Sequence, residues 1–302
     1  MKRVALLFLI IDDFPHEHIW LKWAEANPQI SFFFHAKNET GVRSHFVRAH
    51  LVRRNGTFPA PEWGTVNLTR AMFYLLTAAA AAAAAPDAFV FLSESCIPVI
   101  PVDDFLSQVD AAAGRSWMRI FTKSNDEYSE KYQFAPLAAV FGAATVAKVD
   151  QWILLSASDA QIIISYVRAN PTIWRYFTDL RASDEMFFST ILAICAGGAE
   201  NLRRKTVDRR VTFVNWLEQK QNPKTYTHIT PELIDFCRTE FQSPFLRKIK
   251  LPCAVDAAAA GKSCAAWRAR EDKKQLYKEW LTYVCGVNPI FAAMRVSAEK
   301  IA

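Results

Sequence analysis

The chain alternates short, nearly unbroken apolar runs with longer stretches of helical spacing. Residues 4–11 (VALLFLII), 30–34 (ISFFF) and 88–92 (AFVFL) have the length and β-propensity of buried strands. Each ends in a polar turn: Asp12-Asp13, His35-Ala36-Lys37 and Ser93-Glu94-Ser95-Cys96. Between the first two runs, Ile19, Trp20, Trp23 and Ala24 recur at helical spacing, and Pro28 follows, so 16–27 reads as a helix. Strand, helix, strand in about 35 residues implies a parallel sheet with a right-handed crossover. Buried strands that stop in polar turns are where open α/β sheets place their ligands.

The rest of the pattern fills in the same architecture. A strand is expected over 45–53 and a long helix over 65–85, its second half almost pure alanine; no function is drawn from the alanine runs. Pro98 and Pro101 are expected to keep the chain irregular after Cys96. Helices are expected over 103–113, 158–169 and 183–196, the last opening with Ser183-Asp184-Glu185 as a cap signature. Strands are expected over 116–121, 147–155 and 211–216, with a polar loop over 122–133 and a basic loop over 203–210. Residues 230–239, with Pro231 at the first position, and 265–284 read as helices. With no repeat and no clear linker, the whole reads as one α/β domain over 1–302, with a mostly parallel central sheet flanked by helices and a C-terminal helical extension over 251–302.

Composition narrows the chemistry. Among 302 residues, 51% are hydrophobic and 22% charged, which excludes a disordered chain. A net charge of +6 suits an anionic small ligand, and no dense Lys/Arg block or stripe points to nucleic acid. The six cysteines show no metal spacing; Cys253, Cys264 and Cys285 would permit a disulfide near the C-terminus, and Cys96 reads as core packing. Three N-x-T sequons, at Asn38, Asn55 and Asn67, favour a secretory route. No run other than the alanine tract is long and apolar enough to span a bilayer, so a membrane anchor is expected only outside this sequence. A dinucleotide enzyme is disfavoured, because no GxGxxG follows the first strand.

Several pieces then fall into one order: Phe32-Phe33-Phe34-His35-Ala36-Lys37, Trp63-Gly64 with Leu75-Leu76, Phe91 to Pro98 (FLSESCIP), Asp150-Gln151-Trp152, Ser183-Asp184-Glu185 with Thr190, Val211 to Trp216 (VTFVNW), and Ser243 to Lys248 (SPFLRK). In this ordered set, over about residues 4–250, the chain resembles the core-2/I-branching β-1,6-N-acetylglucosaminyltransferase family, particularly its plant-type branch. The resemblance implies a GT-A-like (Rossmann-like) fold and inverting transfer from a UDP-sugar to a glycan acceptor, without the metal-binding DxD carboxylates common in that fold. Asp12-Asp13 and Asp103-Asp104 are the only adjacent aspartates, and neither stands at a position matching a DxD. No metal or cofactor is therefore expected, and the location implied is the lumen of the secretory pathway, the Golgi in a eukaryote.

The same resemblance assigns roles. Glu185 matches the catalytic base, with Asp184 structural; Lys248 matches the cation at the diphosphate, with Arg247 beside it. His35, Lys37, Ser93, Glu94 and Ser95 match the nucleotide-sugar side. Glu127, Glu130, Lys131 and Tyr132 match the acceptor-facing loop, and Trp152 or Trp216 would either stack on a sugar or belong to core and surface. The family's second diphosphate-binding arginine has no clear match, and Lys224 or His228 is the substitute considered. UDP-GlcNAc is the first donor expected and UDP-xylose the second. The rival from another class is a non-catalytic carbohydrate-binding descendant of the fold.

Overall fold

Seven consecutive buried residues make Val4–Ile10 the first strand, β1. The computed structural model describes residues 2–53, 60–124, 126–216, 222–227, 229 and 231–250. Its further strands are β2 (Ile30–Ala36), β3 (Ala88–Ser93), β4 (Ile97–Pro98), β5 (Leu154–Ser156), β6 (Thr212–Val214) and β7 (Phe245–Arg247). The expected helix over 265–284, the expected C-terminal disulfide, the Asn55 sequon and His228 lie outside the described residues.

The described chain divides into two units, each assembled from separated segments. The first comprises Met1–Asp12, Gln29–Ser93 and Leu106–Val211. Its sheet has the order β2-β1-β3-β5, with β1 parallel to both neighbours and β5 antiparallel to β3. The register runs from Val4↔Ile30 to Ile10↔Ala36 on one side of β1, and from Val4↔Ala88 to Leu9↔Ser93 on the other. A strand paired on both edges and covered on both faces needs apolar side chains at every position, which accounts for the unbroken run in β1. The helix Val66–Ala80 packs on β1, β2 and β3, and it buries Val66, Thr69, Met72, Leu75, Leu76 and Ala79 at helical spacing. Helix Ala157–Ala169, capped by the Ser156 hydroxyl, packs on Val66–Ala80 and on helix Phe187–Ala196.

The second unit, which includes Asp13–Pro28, Glu94–Phe105 and 212–250, contains a small sheet of order β4-β7-β6. Trp20 and Trp23, on helix Glu17–Ala24, form an aromatic cluster with Phe105 and Phe245. Their indole N–H groups donate to the carbonyls of Cys96 (3.0 Å) and Ile100 (2.8 Å). The turn after β3 is thus fastened by buried hydrogen bonds, and Cys96 is core, as expected.

Several elements differ from the pattern-based reading. Residues 45–49 are a helix, not a strand: Ser44 caps His45–Ala49 by accepting from the Val47 N–H, and Phe46 packs edge-on to Phe32 and Phe34. The helix from Val66 stops at Ala80, partway through the alanine tract. Pro98 does not prevent regular structure. It sits in β4 at a sheet edge, where its missing N–H costs nothing. Residues 116–121 and 147–153 form only isolated bridges, such as Phe121↔Lys148, leaving β5 short. The polar stretch 122–133 is not a loop throughout, because Glu127–Ser129, Glu130–Phe134 and Ala135–Phe141 are consecutive helical pieces. Helix Ala199–Lys205 likewise takes up the first part of the expected basic loop.

One fold-level consequence is pH-dependent. His16 is fully buried, and burial lowers its pKa to about 4, so it is neutral in the folded protein. In the unfolded chain it protonates near 6.5. The stability of the neutral form is complete above that value and is lost as pH falls toward 4, by roughly 2–3 kcal/mol at pH 4.5. The melting temperature is expected to fall between pH 7 and 4.5, and His16→Gln should flatten that slope; an unchanged slope would exclude His16 as its source.

Candidate active site

In the first unit, the chemistry gathers around Glu185. The expected continuous helix 183–196 is broken here. Ser183–Glu185 is a single 3₁₀ turn, and the α-helix starts only at Phe187. Ala182 enters the turn with left-handed φ (56°), and its N–H donates to the Gly64 carbonyl (3.2 Å). Ser183 is buried and shares a 2.6 Å hydrogen bond with Thr69, so it braces the turn from below instead of capping a helix. Glu185 therefore stands just before the N-cap residue Met186 instead of inside the first turn of the α-helix.

A cation also faces Glu185. Lys148 Nζ lies 3.3 Å from the Glu185 carboxylate, and the Glu185 carbonyl accepts from the Val149 N–H (2.8 Å). Burial raises the Glu185 pKa; the Lys148 charge and hydrogen bond oppose that, Asp150 adds to it, and a Gln133 hydrogen bond again favours the carboxylate. Asp150 is itself raised by burial and pulled back by Arg210, Arg119 and Lys148. Arg210 Nε stands 3.8 Å from an Asp150 oxygen. The result is a partly buried carboxylate in an alternating network of acids and bases, as proton-transfer groups require. Asp184 is buried.

Of the residues expected on the acceptor side, all but Trp216 lie in the same unit. Glu127, Glu130, Lys131 and Tyr132 are exposed on the helical stretch 127–134, and the buried Gln133 of that stretch donates to the Arg181 carbonyl (3.2 Å). Trp152, only 6% exposed, belongs to the core and presents no open face to a sugar. His35 is buried inside β2, which continues two residues past its expected end, whereas Lys37 is exposed beyond it. Ser93 is buried at the end of β3.

In the second unit, Ser95 accepts from the Ile249 N–H (2.9 Å), and Tyr226 exchanges backbone hydrogen bonds with Lys248 and Lys250. Burial lowers the Lys248 pKa; Arg247 and Lys250 add to this, and Glu94 opposes it. Lys224 Nζ stands 5.5 Å from the Tyr226 ring centroid, and the Tyr226 hydroxyl accepts from Asn215 (2.9 Å). Tyr226 thus joins the segment bearing Lys224 to that bearing Lys248. Trp216 is 53% exposed. A cation whose charge burial disfavours gains most when an anion arrives, which is the electrostatic condition for binding a diphosphate.

A mixed α/β protein with a mostly parallel, helix-flanked central sheet is consistent with a GT-A-like glycosyltransferase fold. The family model described as Core-2/I-Branching enzyme matches residues 4–238, and the chain belongs to that family. Membership makes it a glycosyltransferase, with a nucleotide-sugar donor and a glycan acceptor. Arg247 and Lys248 lie beyond the matched stretch. No curated protein matches the chain. Among the described residues, no helix is long and apolar enough to cross a membrane, and no group of three or more His, Cys, Asp or Glu is placed to hold a metal.

Sequence reasoning named Asp150 as part of a motif but gave it no role, and it missed Lys148, Arg119, Arg210 and Gln133 as the neighbours of Glu185. One signal was present. Lys148 and Asp150 stand at i and i+2 in an extended apolar segment, where alternate residues share a side.

Proposed function

We propose that this enzyme transfers GlcNAc from UDP-GlcNAc to a glycan hydroxyl with inversion and without a metal. Glu185 takes the acceptor hydroxyl proton as that oxygen attacks the anomeric carbon and the bond to UDP breaks. Lys248, with Arg247, neutralises the departing diphosphate, and Lys224 is the further cation on that side. The observation that carries this reading is the Glu185–Lys148 pair at 3.3 Å, a carboxylate kept in its basic form beside a cation while burial raises its proton affinity. The site residues retained are Glu185 as base; Lys37, Glu94, Ser95, Arg247 and Lys248 on the donor side; and Glu127, Glu130, Lys131 and Tyr132 on the acceptor side. The proposed location is the lumen of the secretory pathway.

Calorimetric binding of UDP, with and without EDTA, tests the reading. Equal affinity in both supports it, and a UDP-GlcNAc and UDP-xylose comparison with glycan acceptors then fixes the donor. Affinity lost in EDTA would overturn metal independence. No UDP binding would favour the non-catalytic, carbohydrate-binding alternative.

A further inference from the structure

Large aromatic side chains left in water are costly unless something covers them, and unit one exposes three together. Trp63 is 71% exposed, Tyr132 43% and Tyr128 41%. They are not scattered. The Arg181 guanidinium carbon stands 5.1 Å from the Trp63 ring centroid and 5.3 Å from that of Tyr128, and the Tyr128 and Tyr132 centroids are 5.0 Å apart. Lys131 Nζ lies 5.2 Å from the Tyr132 ring. Aromatic rings and cations thus form one continuous exposed surface. It is held from beneath by Gln133 donating to the Arg181 carbonyl and by Ala182 donating to the carbonyl of Gly64.

We propose that Trp63, Arg181 and Tyr128 form a sugar-stacking platform that seats a pyranose ring of the acceptor. The chemistry on the page selects that occupant. An aromatic face carries negative charge density, and the axial C–H bonds on one side of a pyranose present a matching positive, apolar face. Arg181 covers part of the Trp63 ring and restrains it, while most of that residue stays open. A guanidinium engaged through its face retains N–H donors along its edge, which suit the equatorial hydroxyls around such a ring. The platform is also connected to the proposed base, since Arg181 and Ala182 lead directly into the turn bearing Glu185 and Gln133 donates to the Arg181 carbonyl. A sugar seated there is held by groups that fix the position of Glu185, so binding and proton abstraction are coupled through one rigid turn.

This inference rests on the transferase reading only for the occupant's role as acceptor. The test separates the two by measuring binding without transfer. Saturation-transfer NMR of the full chain is recorded with methyl β-galactoside, methyl β-N-acetylglucosaminide, methyl α-mannoside and their disaccharides, for the wild type, Trp63→Ala, Trp63→Phe and Tyr128→Ala. At least one probe is expected to show saturation on its axial-face protons. That signal should be lost in Trp63→Ala, reduced in Tyr128→Ala and kept in Trp63→Phe, with the melting temperature of each variant close to wild type. In transfer assays, Trp63→Ala should raise the acceptor KM about 10-fold or more. Transfer by the wild type with an unchanged acceptor KM in Trp63→Ala overturns the platform and leaves the transferase standing. Trp63-dependent glycan binding without transfer keeps the platform and overturns the transferase. Absence of any probe binding and any transfer overturns both.

Discussion

Glu185→Gln is expected to cut transfer by about 10²-fold or more while leaving UDP affinity near that of the wild type. The amide keeps the size and most hydrogen bonds of the carboxylate but cannot accept the acceptor's proton. Because burial raises the Glu185 pKa, the acid limb of kcat/KM against pH should lie above the ordinary carboxylate range, with activity rising as the group ionises. Lys148 opposes that rise, so Lys148→Met should move the limb to still higher pH. A merely structural Lys148 would change the melting temperature and not the limb. Full-rate transfer by Glu185→Gln would remove Glu185 from the mechanism.

Lys248→Ala is expected to weaken UDP binding by about 10-fold to 100-fold, the range given by losing one hydrogen bond between charged groups. The cost falls on the leaving group, so kcat should drop along with donor affinity. Lys248→Arg should recover part of both, since it keeps the charge but not the point geometry. Isothermal titration with UDP reads the effect directly. Unchanged affinity would move the diphosphate to other cations, with Arg247 and Lys224 next to be replaced.

The three parallel strands of the central sheet were legible because burial favours apolar side chains, and β1, β2 and β3 appear as largely apolar runs, whereas β5 is much shorter than its apolar stretch suggested. The helical stretch 127–141 was not. Its buried positions, Ser129, Gln133, Phe134 and Leu137, do have helical spacing, but two of them are polar and hide the stripe. At 45–49, a Phe and a Val suggested a strand, and one serine cap decided otherwise. The alanine tract gives no terminus signal, since every position in it has the same propensity. In the site, Glu185 was found through its motif, yet the motif suggested a capped helix. The actual brace, Ser183 to Thr69, joins residues 114 apart in sequence, beyond any local pattern. The partners of Glu185 were hidden for the same reason: Lys148 is brought to it by tertiary folding, not by spacing.

The way the chain is divided also limits how this enzyme can be recombined. Each unit is stitched from three separated segments, so no single cut yields either one as a continuous fragment. A chimera meant to exchange the Lys248-bearing unit with that of a relative would have to carry Asp13–Pro28 and Glu94–Phe105 together with the segment beginning at Thr212, because Trp20 and Trp23 of the first fasten the carbonyls of the second and stack on Phe245 of the third. Exchanging the C-terminal segment alone would leave two indoles facing a foreign surface. The Lys248-bearing unit is thus inherited as a set of distant residues, and shuffling at one crossover would break its aromatic cluster instead of transferring it.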